Sequence, residues 1–130
     1  MLWTVLAWYH VHGLPVTPVN PTDPEIRLPS RSYKTVPSPS ALTKPRETAL
    51  SIITPPAVTR KVLQEAKVVG VPAVWLQPGS FDEEGLEFAK TNFKAAVGGE
   101  GGIGEEGWCI LMDGETALKA AERHWSRQPL

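Results

Sequence analysis

Apolar residues open the chain at helical spacing. Leu2, Val5, Leu6 and Tyr9 share one face, which predicts an amphipathic helix from the first residue to a stop at Gly13. Leu14 and Pro15 then lead into an expected short strand, Val16 to Asn20, closed by Pro21. Turns dominate from Pro21 to Pro45, with a short strand expected near Ser32 to Thr35 and a helical turn near Ser40 to Leu42. "TALSIIT", Thr48 to Thr54, reads as a buried strand. Pro55 or Pro56 follows in the first turn of a helix, where a lost N–H costs nothing. Val58, Val62, Ala66 and Val69 predict its inner face, and Gly70 its end. Val71 to Gln77 is the next strand. Ser80 and Glu83 form a capping-box pattern before a helix that turns Leu86, Ala89 and Phe93 inward. "KAAV" and "GWCILMD" read as two further strands. Asp113 is then expected to cap a last helix with Leu118, Ala121 and Trp125 on its inner side.

Strands alternating with helices imply right-handed crossovers and a parallel sheet, hence an α/β fold in one domain over residues 1–130. An internal echo sharpens the picture. "GLPVTPVNP" (Gly13 to Pro21) and "GVPAVWLQP" (Gly70 to Pro78) align without gaps. Good helix-to-strand loop chemistry accounts for the glycines and the first prolines. It does not account for Asn20 and Gln77. Carboxyl ends of parallel strands border the ligand crevice, and an amide there can both donate to and accept from a ribose, an adenine or a pantetheine amide.

Composition narrows the partners. Thirteen Lys and Arg stand against 14 Asp and Glu, a net charge of −1, without the basic excess of a nucleic-acid binder. The opening helix is too short to span a membrane and lacks the basic leader and cleavage site of a signal peptide. Cys109 is the single cysteine, so no internal disulfide or thiol-based zinc site can form, which fits a reducing, cytoplasmic location. With no paired base nearby, it reads as a structural cysteine.

Other candidate chemistry reduces to structure. "GEGGIG", Gly99 to Gly104, spells a dinucleotide fingerprint but leads into an apolar run rather than a helix, and Glu100, Glu105 and Glu106 would repel a pyrophosphate. It is expected to be a flexible surface loop. His10, His12 and His124 lack metal-ligand spacing and are assigned to packing or solvent. Asp82, Glu83, Glu84 and Glu87 suit the start of a helix. No acid/base pair is found, so no enzymatic activity is expected. The five tryptophans should be core, with Trp75 placed to line the crevice.

Together, "LPVTPVNP", "SIITPPAVTRKVLQEAKVVGVPAVWLQPGSFDEEGLEFA" and "WCILMD" resemble the CoA-binding domain proteins, small Rossmann-like domains similar to the CoA-binding domain of the succinyl-CoA synthetase alpha subunit. The resemblance covers about Leu6 to Met112. It implies a three-layer fold of the NAD(P)-binding domain superfamily and a nucleotide-type small-molecule ligand, CoA or an acyl-CoA. It places that ligand against three loops: Val19, Asn20, Pro21 and Thr22; Thr54, Pro55, Pro56 and Val58; and Gln77, Pro78 and Gly79. Adenine and ribose would meet the first two loops and the thiol arm the third.

One departure shapes the expectations. The family begins with a strand and a glycine loop, and this chain begins inside the helix that follows them. In the family that strand lies between the V-N-P and T-P-P strands, so two edges would be left unpaired. Three outcomes are considered: N-terminal truncation of a longer protein, which is favoured, closure of the gap, or a strand from a partner. Weak or absent CoA binding is expected in this form, with self-association through the unpaired edges as a further consequence. The alternative function is an NAD(P)-binding redox sensor or dehydrogenase-like module. Its odds are lowered by Asn20, which stands where a dinucleotide site usually has a carboxylate.

Overall fold

The computed structural model describes residues 2–103 and 107–130, without the side chains of Leu2 and Trp3. Met1, Gly104, Glu105, Glu106 and the Trp3 ring, all used in the expectations above, lie outside the described residues. The chain runs α1 (Leu2–Val11), β1 (Glu25–Leu28), β2 (Arg31–Lys34), two short 3-10 turns (Pro39–Ala41 and Pro45–Glu47), β3 (Ala49–Ile52), α2 (Pro56–Val69), β4 (Ala73–Leu76), α3 (Glu83–Asn92), β5 (Ala95–Val97) and α4 (Ile110–Ala120). No helix among the described residues is long and apolar enough to cross a membrane.

β3, β4 and β5 form a parallel sheet in that order, in register Ile52 with Leu76 and Trp75 with Val97. The connections β3–α2–β4 and β4–α3–β5 are the crossovers that parallel pairing demands. Alternation along the strands then separates the two faces. Leu50, Ile52, Val74 and Leu76 pack with Leu63 and Ala66 of α2 and Ala89 of α3 into the main core. Burying each large aliphatic there contributes about 1.5–3 kcal/mol. On the other face, Ser51 Oγ meets Tyr9 Oη of α1 at 2.6 Å, and Trp75 Nε1 donates to the Trp108 carbonyl at 3.4 Å. Helices on both faces of a parallel sheet make this a Rossmann-like α/β fold.

A second core joins α1 to the antiparallel hairpin β1–β2, where Leu6, Leu28 and Tyr33 are buried together. The sequence "EIRLPSRSYK" alternates toward that core and turns at Pro29 and Ser30. The Ser40 amide donates to Glu65 at 2.9 Å, tying the first 3-10 turn to α2. That hydrogen bond, aided by Ser38, holds the Glu65 carboxyl below its ordinary range.

Several expectations are corrected. α2 buries Thr59, Leu63 and Ala66, while Val58 is 45% exposed. The inner stripe is rotated because the Thr59 hydroxyl is engaged by Thr54. The α3 cap is Asp82, whose carboxylate accepts from the Gly85 amide at 2.8 Å; Ser80 instead donates to the Gln77 carbonyl. "GWCILMD" is not a strand. Cys109 is the residue before α4, and Ile110 begins that helix.

Asp113 therefore sits inside α4, 4% exposed, accepting from the amides of Ile103 (2.8 Å) and Cys109 (3.1 Å). A buried carboxylate is tolerable only with such donors. Gly114 beside it lets the Trp8 ring lie against the α4 backbone, where a Cβ would collide with the ring. Trp125 lies beyond α4 with its ring tilted against His12, centroids 4.2 Å apart, and is partly exposed rather than core.

Val16 to Asn20 is not a sheet strand either. It makes a single parallel bridge, Val19 with Val36. Pro15 and Pro18 remove two donors, and the segment forms no ladder with β3 among the described residues. A groove of about 750 Å³ lies between Leu14–Val19 on one side and Thr48–Thr54 on the other.

Candidate functional site

Register decides which expected site residues meet. Since Ile52 pairs with Leu76, the segments after β3 and β4 emerge at the same edge, and the Gln77 amide donates to the Ile52 carbonyl at 3.0 Å. Thr54, Pro55, Pro56 and Val58 thus stand beside Gln77, Pro78 and Gly79. Val19 and Thr54 line the same groove, which brings the Val19–Thr22 loop to that side as well.

Most polar groups on this rim already have partners. Asn20 Oδ1 accepts from the Thr22 amide (2.9 Å), the Thr22 hydroxyl (2.9 Å) and the Asp23 amide (3.1 Å), a turn that the side chain itself closes. Pro21 and Thr22 are exposed. At the second corner, the Thr59 hydroxyl donates to the Thr54 carbonyl at 3.0 Å and meets Thr54 Oγ1 at 2.7 Å. Pro55 precedes α2 and Pro56 is its first residue, with no side-chain cap and no acidic residue in the first turn. The positive end of that helix dipole is therefore left uncompensated by side chains.

Gln77 has a use that sequence reading did not anticipate. It is 1% exposed, its Oε1 accepts from the Ile110 amide at 2.7 Å, and its Nε2 donates to Cys109 Sγ at 3.4 Å. The side chain caps α4 rather than facing the crevice. Gly79, by contrast, is exposed in a left-handed turn with open space around its Cα. Trp75 is half-buried against Trp108.

The expectation also missed a part of the rim. The glycine loop after β5 leads through Trp108 and Cys109 into the start of α4, so it is a strand-to-helix corner like the other two. Its described part is fastened by Asp113 to Ile103 rather than loose. The signal was the helical spacing of Ile110, Asp113, Gly114 and Ala117, hidden within an apolar run.

His10 and His12 belong to packing, and His124 is exposed. His10 Nε2 donates to the Pro129 carbonyl at 2.8 Å, with Nδ1 on Tyr33 Oη, and His12 lies between the Trp8 carbonyl and Glu115. Among the described residues no group of three or more His, Cys, Asp or Glu side chains could hold a metal.

Crossover helices that start at one edge of a parallel sheet, with proline-stiffened corners beside them, define a Rossmann-type binding domain. The family model for the CoA binding domain matches residues 3–107, and the chain belongs to that family. A conserved hypothetical protein from Pyrococcus furiosus shares the fold with a TM-score of 0.63 and 29% identity, over 73% of this chain and 78% of that one. Among curated proteins no match is found.

Proposed function

We propose that the chain binds CoA or an acyl-CoA without catalysis, at the rim formed by Val19–Thr22, Thr54–Val58 and Gln77–Gly79. Membership of the CoA-binding family gives the ligand class. The observation that carries the location is the in-register exit of β3 and β4 beside the uncapped start of α2. That helix end favours the anionic pyrophosphate, whereas the start of α3, with Asp82, Glu83 and Glu84, would repel it.

Affinity is weak. Asn20 and Gln77 spend their amides internally, and Pro55 and Pro56 withhold two donors. Dinucleotides are the rival ligands. Asn20 replaces the carboxylate that would hold their ribose, and its Oδ1 is already occupied. The reading carries with it a cytoplasmic location, where Cys109 and the CoA thiol remain reduced.

Amide-resolved NMR titration tests the proposal. CoA should shift Thr22, Ala57, Val58 and Gly79 with roughly millimolar half-saturation, and NADH should compete poorly. No shifts at these amides, or equal displacement by NADH, would overturn it; micromolar affinity would refute the weakness.

A further inference from the structure

His12 stands just past the last residue of α1 and is buried, with acceptors facing both of its ring nitrogens. Nδ1 lies 2.7 Å from the Trp8 carbonyl, and Nε2 lies 2.9 Å from Glu115 Oε1. A neutral imidazole has one N–H and satisfies one of them. The imidazolium satisfies both. Burial works against a charge there, and the surroundings offset it. Glu115 brings a carboxylate from α4. The carboxyl end of α1 presents the negative pole of that helix. Two indoles enclose the ring, Trp8 stacked at 4.0 Å and Trp125 tilted at 4.2 Å, and aromatic faces attract a cation.

His10 makes the contrast. Its Nε2 donates to the Pro129 carbonyl, and Tyr33 Oη, which can donate, meets Nδ1 at 2.7 Å. The neutral ring leaves nothing unmet at that site. The other charged groups near His12 lie on α4 and just beyond it. Lys119, Glu122, Arg123 and His124 line one shallow hollow with Glu115 and Trp125. Glu115 and Glu122 balance Lys119 and Arg123 there, and it is Glu115 that reaches the ring.

The segment after α4 is anchored at this point. Beyond Trp125, the Gln128 amide donates to the Val11 carbonyl at 2.7 Å, and the Leu130 carbonyl accepts from the Ser30 amide at 2.8 Å. With the His10–Pro129 bond, these ties lay residues 125–130 along the end of α1 as far as the hairpin turn. The residues of the strap are themselves exposed, so few contacts hold it, as in elements that open locally. Glu115 and the strap also lie outside the residues matched by the family, 3–107.

We propose that His12 is a proton-operated latch for this strap. Charged, it ties α1, α4 and Trp125 together. Neutral, it gives up either the Trp8 carbonyl or Glu115, and the strap loosens. The proton is part of the fastened state, so the strap tightens as pH falls through the imidazole range and loosens as pH rises.

Nitrogen NMR of the imidazole rings and amide exchange at Gln128 test this on the whole chain. At about pH 5.5 both His12 ring nitrogens should be protonated, and the Gln128 protection factor should be roughly fivefold higher than at about pH 8. Glu115→Gln offers the ring an amide that can donate or accept, so protection should no longer change with pH. The Glu115 side chain is 58% exposed, so this variant keeps the fold. Trp125→Ala should lower protection at both pH values. A neutral His12 ring at about pH 5.5, or equal protection of Gln128 at both pH values, overturns the proposal. So does a pH dependence that survives in Glu115→Gln, which would assign it to His10 or His124.

Discussion

Gly13–Pro21 and Gly70–Pro78 share a sequence pattern and meet different fates. Both begin with a left-handed glycine after a helix, φ +64° at Gly13 and +91° at Gly70. Beyond that point neighbours decide. Ala73–Leu76 lies between β3 and β5 and becomes the central strand of the sheet. Val16–Asn20 has only Val36 beside it and makes one bridge. The amides diverge likewise: Gln77 is sealed beneath α4, while Asn20 closes its own turn near the surface. The same local chemistry yields a strand only where two edges are within reach.

The largest expected contrast is in the core. Leu76→Ala should cost about 2–5 kcal/mol, because the side chain is fully buried between two helices and the sheet. Val19→Ala, its counterpart in the echo, is half-buried beside an open groove and should cost below about 1 kcal/mol. Urea midpoints of the two variants measure the difference, and equal losses would break the comparison.

A smaller contrast separates the amides. Gln77→Leu leaves the Ile110 amide without its acceptor at a buried helix start, a cost of about 1–3 kcal/mol. Asn20→Ala loosens an exposed turn and should cost about 0.5–1 kcal/mol. If Asn20→Ala also weakens CoA binding while stability holds, the turn is part of the rim.

The smallest effect concerns pH. Burial raises the Tyr9 phenol above its ordinary value near 10, with the Ser51 hydrogen bond opposing in part. The folded state therefore favours the neutral phenol. Its contribution is complete below about pH 10, where the unfolded phenol begins to ionise, and is lost as pH rises toward the folded value. Tyr9→Phe should flatten the alkaline limb of the stability profile, and an unchanged limb would contradict the assignment.

Much of this was legible from spacing. Leu2 through Tyr9, Thr48 through Thr54 and the stop at Gly70 lead directly to α1, β3 and the end of α2. The corners around Pro56 and Gly79 follow from the same reading. Trp108–Asp113 misled because a short apolar run is equally good strand and helix, and because the helical spacing of Ile110, Asp113, Gly114 and Ala117 includes a carboxylate and a glycine and so does not stand out as an apolar stripe. Val58 misled because the tie between Thr54 and Thr59 sets the rotation of α2, and no hydropathy pattern records a hydroxyl pair. Gln77 does follow a strand end, whereas Asn20 follows only the single bridge at Val19. Their engagement with Thr22 and Ile110 depends on partners that sequence spacing does not reveal.

Amide hydrogen exchange with and without saturating CoA tests the central claim most directly, because rim and groove carry different amides. The account predicts slowed exchange at Thr22, Ala57 and Gly79, with Ser51 and Ile53 remaining fast. Slowing along Thr17, Ser51 and Ile53 instead, with the rim unchanged, would place the ligand in the groove and contradict it.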